Sequence, residues 1–335
     1  MSKKVLLTGI SGYVGQHCAV ELLKKGYQVK GSVRSVAKEE EVRKGLAKVV
    51  DAKDNLEFCE LDLLSDIGWE AAMKDCDYVL HVASPFFITA PKDENEMIKP
   101  AVEGALRALK FAKRTGIKKV VLTSSTVAMA GDIKVNHLTQ NSWTNPKSNN
   151  ISAYIKSKTL AEKAAWDFYK NQEEGHKIEL TVINPGPVYG PTLTGNISGA
   201  SMDTIYQLIT GKMNMQPNAS YVMSDVRDIA KIHVAAIENE ASNGQRFIVT
   251  SEEPHQFVEM AAILKKNGYA AVPRKAPTFL LNILSLFNRD LKGMKPFFDV
   301  EITADITPTK ETFNWEPIPF EKTMVDSAKS IEHLV

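Results

Sequence analysis

The 335-residue sequence predicts an α/β fold, a doubly wound parallel sheet followed by a smaller C-terminal unit, and three observations carry that expectation. Short apolar runs alternate with helical patterns from residue 3 to about 185. A glycine-rich turn separates the first run from the first helical pattern. Residues with chemically capable side chains (Arg34, Asp62, Ser84, Ser125) fall just after successive runs, as Gly9 does, which places them on one sheet edge. Alternation of this kind puts helices on both faces of a parallel sheet. Ligands of such sheets bind outside the carboxyl ends of the strands.

Val5 to Thr8 reads as a buried strand that stops at Gly9-Ile10-Ser11-Gly12-Tyr13-Val14-Gly15. Gln16 to Lys25 then continues as a helix with Cys18, Val20, Leu22 and Leu23 on its apolar side, and Gly26 closes it. Strand, glycine turn and helix make the phosphate-cradling unit of a Rossmann-type dinucleotide-binding fold. Its glycines admit the pyrophosphate, and the helix N-terminus offers free amides and positive partial charge.

The second strand, Gln28 to Val33, ends at Arg34 with no acid beside it. That strand end faces the adenosine ribose, where an acid receives the hydroxyl of NAD and an arginine accommodates the phosphate of NADP. Arg34, with Lys38 nearby, makes NADP(H) the expected cofactor, whereas Arg43 reads as part of a solvated helix face. Leu56 to Leu61, Tyr78 to Ala83, Val120 to Thr123 and Leu180 to Ile183 supply further strands, separated by helices near 96–115 and 152–173.

The second of these helices carries Tyr154-Ile155-Lys156-Ser157-Lys158, so Tyr154 and Lys158 share one face a turn apart. An ammonium beside a phenol favours the phenolate, so the tyrosine pKa is expected to fall from about 10 toward working pH. Such a tyrosine can exchange a proton with an alcohol or carbonyl oxygen.

Together, Gly9-x-x-Gly12-x-x-Gly15, Val121-Leu122-Thr123-Ser124-Ser125 and Tyr154-x-x-x-Lys158 resemble the extended short-chain dehydrogenase/reductases. The likeness is to the group containing dihydroflavonol 4-reductase, cinnamoyl-CoA reductase and the yeast methylglyoxal (aldehyde) reductases. His81 to Pro85, Pro100 to Gly104, Asn184 to Pro191 and Ser224 to Ala230 extend it over nearly the whole chain.

The resemblance implies NADPH-dependent reduction of an aldehyde or ketone. Ser125 would hold the carbonyl oxygen, Tyr154 would be the general acid, and Lys158 would hold the nicotinamide ribose. Gly9, Ser11, Gly12, Tyr13, Val14 and Gly15 would bind the cofactor phosphates, and Asp62 and Leu63 would meet the adenine. Val82, Ala83 and Ser84 would pass under the cofactor, and the stretch from Pro185 to Val188 would pack near the carboxamide. The sequence departs from many relatives at Ala105 and Arg107, where Thr and Asn are common. Phe86, Phe87, Thr126, Met129, Tyr189, Ile205 and Tyr206 are candidates for the substrate pocket. A hydroxysteroid dehydrogenase, a sugar-nucleotide epimerase or a non-catalytic NADP-sensing protein would retain much of this pattern.

A net charge of +1 with both signs mixed argues against a nucleic-acid surface. Cys18, Cys59 and Cys76 form no metal-binding spacing, so no metal and reduced thiols in a cytoplasmic protein are expected. The apolar stretch Phe279 to Phe287 is far short of the ~20 residues that span a bilayer. The expected organisation is a cofactor-binding unit at 1–185, joined by 224–250, and a substrate lid formed mainly by 186–223 and 251–335. The expected partner is a small carbonyl or alcohol substrate, bound by a monomer or homodimer.

Overall fold

Lys4–Thr8 (β1), Gln28–Val33 (β2), Leu56–Glu60 (β3), Tyr78–His81 (β4) and Lys119–Thr123 (β5) are the first five strands of the computed structural model. It describes residues 2–85, 93–131, 136–173, 175–197, 199–286 and 298–335. His137–Leu138 (β6) follows, then Glu179–Pro185 (β7), Val188–Tyr189 (β8), Ser220–Tyr221 (β9), Ser224–Asp225 (β10), Gln245–Val249 (β11), His255–Gln256 (β12) and Glu301–Ala304 (β13). Seven of these form one parallel sheet in the order β11-β7-β5-β4-β1-β2-β3. The chain winds outward from β1 in one direction and from β4 in the other. The switch point of this Rossmann-type sheet therefore lies between Thr8 and His81, which are register partners.

Val5, Leu6 and Leu7 are all fully buried, because a central parallel strand is covered on both faces and shows no in–out alternation. One face carries Tyr13–Lys24 (α1) and Glu39–Ala47 (α2). The other carries Trp69–Met73 (α3) and Asn95–Thr115 (α4); the short Val127–Ala130 (α5) packs on Ala153–Lys170 (α6), which shares that face with α4. Ala200–Ile209 (α7) leads into the C-terminal half, and Val226–Glu238 (α8) returns to pack on α1. The two apolar layers are correspondingly distinct. Cys18, Leu22, Ile229 and Ile237 fill one, and Trp69, Leu109, Ala165 and Leu180 fill the other.

A third cluster joins α7 to Phe257–Lys266 (α9) and to the C-terminal helix Phe320–Ile331 through Met202, Ile205, Met260, Leu264 and Met324. Thr278–Leu284 (α10) follows α9. The strands β12-β9-β13-β6 form a small separate sheet that ties residues 137–138 to 301–304.

The C-terminal helix is fastened by charge as well as by burial. Asp225 caps α8 by accepting from the Arg227 amide at 2.8 Å, and its carboxylate also holds the Arg227 guanidinium and the Thr323 hydroxyl. Arg227 reaches on to Asp326 of the C-terminal helix at 2.6 Å. Removing one member of a buried charged network leaves the others unpaired. Asp225→Ala is expected to destabilise the protein by about 3–5 kcal/mol, read from the urea midpoint.

Candidate active site

The glycine turn is closed by its own backbone. Gly9 has φ of +72°, and a Cβ there would lie 2.9 Å from the Ala83 Cα, so the turn is pressed against the end of β4. A Cβ on Gly15 would lie 2.2 Å from the Gly9 carbonyl oxygen. The Gly12 amide donates to that same oxygen at 2.9 Å. No side chain caps α1, whose first-turn amides remain available to an anion. The Tyr13 hydroxyl donates to the Gly190 carbonyl at 2.5 Å, and His17 bonds the Pro191 carbonyl at 2.8 Å. Burial raises the Tyr13 pKa and lowers that of His17 to about 4, so both are neutral anchors for the 190–191 segment.

Arg34 follows β2, is exposed, and carries no hydrogen bond or ion pair among the described residues. Its basic neighbours are engaged. Lys38 pairs with Glu41 at 2.7 Å, while Arg43 pairs with Glu39, donates to the Leu56 carbonyl and stacks on Phe58. At the end of β3 the Asp62 carboxylate accepts from the Leu64 amide at 2.7 Å, and the Asp62 carbonyl accepts from the Trp69 indole. Leu63 packs on Gly104 of α4, where a Cβ would lie 2.9 Å from it. Arg107, one of the departures from the family pattern, donates to the Leu63 carbonyl and pairs with Asp66. That side chain clamps the turn that presents Asp62 and Leu63.

Beyond β4, Val82, Ala83 and Ser84 are half-buried. The Ala83 amide donates to the Thr8 hydroxyl at 3.1 Å, and Thr8 also bonds His81 Nδ1 at 2.9 Å. The ends of β1 and β4 are thus locked together beneath the glycine turn.

Ser125, 8% exposed, follows β5. Its backbone is held against β7 because the Ser124 amide donates to Ile183 and the Thr126 amide to Pro185. Its hydroxyl donates to the Pro185 carbonyl at 3.4 Å and stands close enough to the Tyr154 phenol to act on its pKa. Ser152 caps α6 by accepting from the Ile155 amide, which fixes the helix start so that Tyr154 lies in the first turn and Lys158 in the second.

The expected fall in the tyrosine pKa is not what the structure gives. Burial pushes the Tyr154 phenol up, and the Ser125 hydroxyl offsets this only in part. Burial also brings Lys158 down to about 8, opposed by the Glu162 carboxylate. At neutral pH Tyr154 therefore holds its proton, the form a general acid requires.

A family model described as the NAD dependent epimerase/dehydratase family matches residues 5–249. The chain belongs to this family. A putative NADPH-dependent methylglyoxal reductase of Candida albicans is 30% identical over 98% of this chain and 98% of its own length. A cinnamoyl-CoA reductase of Medicago truncatula is 35% identical over 78% of this chain and 80% of its own. The crystal structure of yeast methylglyoxal/isovaleraldehyde reductase complexed with NADPH superposes with a TM-score of 0.80 at 26% identity, covering 99% of this chain and 98% of that one.

Against this epimerase/dehydratase-family background, the sheet edge brings together the Gly9–Gly15 turn, Val82 to Ser84, Ser125, Pro185 and the start of α6. Val188 is half-buried in β8. Thr126 is buried beside Ser125, and Met129 is buried in α5. Tyr189 and Ile205 pack in the C-terminal apolar cluster, and Tyr206 is half-buried with the Lys212 ammonium 4.8 Å from its ring centroid. Phe86 and Phe87 lie outside the described residues. No group of three His, Cys, Asp or Glu among the described residues could hold a metal, and no described helix is long and apolar enough to cross a membrane. Sequence reasoning missed the Thr8–His81 lock and Glu162. Glu162 stands four residues after Lys158, a spacing that should have drawn attention.

Proposed function

We propose that this protein is a reductase that converts an aldehyde or ketone to the alcohol with NADPH, with Tyr154 giving the proton to the substrate oxygen. The observation that carries this is the proximity of the Ser125 hydroxyl to the Tyr154 phenol, with Lys158 one turn further along α6, at the carboxyl edge beside the glycine cradle. The donor set fits NADPH. Backbone presses on Gly9 and Gly15 where any side chain would intrude, and Arg34 is an uncommitted guanidinium at the end of β2. The NADPH dependence named for the fungal relatives supports the same cofactor.

When bound, NADPH supplies the hydride. The Ser125 hydroxyl holds the carbonyl oxygen as negative charge develops there, and Tyr154 donates its proton to that oxygen. The Lys158 ammonium limits the charge left on the phenol and holds the ribose. The C-terminal half, 186–223 and 251–335, acts as the lid that covers the substrate in a cytoplasmic enzyme.

NADPH oxidation, followed by the loss of its near-ultraviolet absorbance against methylglyoxal, isovaleraldehyde and aryl ketones and repeated with NADH, tests the reading. Strong preference for NADPH with turnover of at least one carbonyl is the expected result. Tightly retained nicotinamide with no net oxidation would point instead to an epimerase.

Arg34→Ala is expected to raise KM for NADPH ~10-fold or more and that for NADH hardly at all. Charge-assisted bonds to a phosphate are worth about 1.5–3 kcal/mol, and NADH has no such phosphate. Equal effects on the two cofactors would remove Arg34 from phosphate recognition.

A further inference from the structure

Glu162 lies on α6, 1% exposed, and its carboxylate is the meeting point of three hydrogen-bond donors and one guanidinium, which pairs with it by charge alone. The Ser124 hydroxyl donates at 2.5 Å from the end of β5, and the Asn184 amide at 2.8 Å from β7. The Trp166 indole donates at 3.1 Å from the next turn of α6, and the Arg246 guanidinium approaches to 2.8 Å from β11. The same Asn184 amide also donates to the Ser125 carbonyl at 3.2 Å. Arg246 is itself held, stacked 3.9 Å from the Trp143 ring and donating to the Ser142 and Gln140 carbonyls. A buried carboxylate so fully engaged costs several kcal/mol if any partner is lost, so its neighbours are fixed in place.

We propose that Glu162 is a positioning residue for the Ser125–Tyr154–Lys158 group: its buried carboxylate fixes the backbone that carries Ser125 and supplies the negative charge that keeps Lys158 an ammonium. This rests on the reductase reading. The backbone part runs through Asn184 to the Ser125 carbonyl and through Ser124 to the peptide before it. The charge part acts through space rather than through a contact: no ion pair joins Lys158 to Glu162 among the described residues, but both are buried and stand one helical turn apart on the same face.

The other titratable groups around Lys158 do not replace it. Tyr154 is a neutral phenol, and His81 at the end of β4 is held neutral, near 4, by burial and by the Lys158 charge. Arg246 is paired with the carboxylate itself, and Glu94 pairs with Lys156 at the surface.

The sign of the pH effect follows. An opposing carboxylate raises the lysine pKa, so its removal lets Lys158 lose its proton at lower pH. Two readouts test this. The first is the titration of Lys158 in the protein alone, from the ¹³Cε resonance of labelled lysine assigned with Lys158→Met. Glu162→Gln is expected to lower that midpoint, about 8 in the wild type, by roughly one pH unit. The second is the alkaline limb of kcat/KM for NADPH with methylglyoxal or isovaleraldehyde, which should move down by the same amount.

Glu162→Gln leaves Arg246 without its counter-charge and could fail to fold. The double variant Glu162→Gln/Arg246→Met buries no unpaired charge and should show a smaller shift in the same direction. Unmoved lysine midpoints in the folded variants would overturn the proposal, even if turnover fell. Absence of wild-type turnover on every carbonyl would remove the reductase reading, while the lysine titration would still report whether Glu162 acts on Lys158.

Discussion

Tyr154→Phe is expected to bind NADPH with wild-type affinity and to turn over an aldehyde ~10²-fold more slowly, or slower still. The ring stays, so α6 keeps its packing and only one hydroxyl is lost. That hydroxyl stands beside Ser125 at the end of β5, and although the residue is half-buried as a whole, desolvation of the phenol holds its proton in place at neutral pH. A donor that is protonated and already aligned with the residue gripping the substrate oxygen contributes to the transition state and little to cofactor binding. The signature is therefore a fall in kcat with little change in the NADPH dissociation constant, measured by nicotinamide fluorescence. The melting temperature should hardly move. Near-normal turnover would sink the assignment of Tyr154 as the acid, whatever the fold.

The parallel sheet was legible because its central strands β1, β4 and β5 are short apolar runs bounded by turns, as in Val5 to Thr8 and Val120 to Thr123. Parallel strands buried on both faces leave that unbroken pattern. The helix carrying Tyr154 was legible for a different reason, since Ser152 and the apolar spacing mark its start. The small sheet formed by β6, β9, β12 and β13 left no trace, because the strands that make it are two to four residues long and too short for a period.

The sign of the Tyr154 shift was misread because helical spacing reports the neighbouring lysine but says nothing of burial, and burial dominates. Asn184 was visible as part of a motif, and Arg246 only as one residue of the 224–250 stretch expected to join the cofactor-binding unit. Their convergence on Glu162 is made by the pairing of β11 with β7 and the packing of α6 beside them, which no local pattern records.

Gly15→Ala is expected to weaken NADPH binding by ~10²-fold, and the reason is backbone rather than side chain. The added Cβ would lie 2.2 Å from the Gly9 oxygen, 2.9 Å from the Gly9 carbonyl carbon and 3.0 Å from the Ile10 Cα. None of these atoms belongs to a flexible group, so either the turn opens or the start of α1 moves. Opening the turn disturbs Gly9, which is already pressed on Ala83, and moving α1 displaces the amides that would receive the pyrophosphate. Overpacking of this kind costs about 1–3 kcal/mol, up to roughly two powers of ten in affinity.

Gly12→Ala provides the comparison within the same loop. Its Cβ would stand 3.3 Å from the Gly9 oxygen, and Gly12 has an ordinary extended backbone, so only a few tenths of an ångström must be yielded. The loss of NADPH affinity, measured by fluorescence titration on folded protein, should therefore be much larger for Gly15→Ala than for Gly12→Ala. Equal and small losses would mean that the turn relaxes freely, and that the cradle does not depend on the close approach of Gly9 to the first turn of α1.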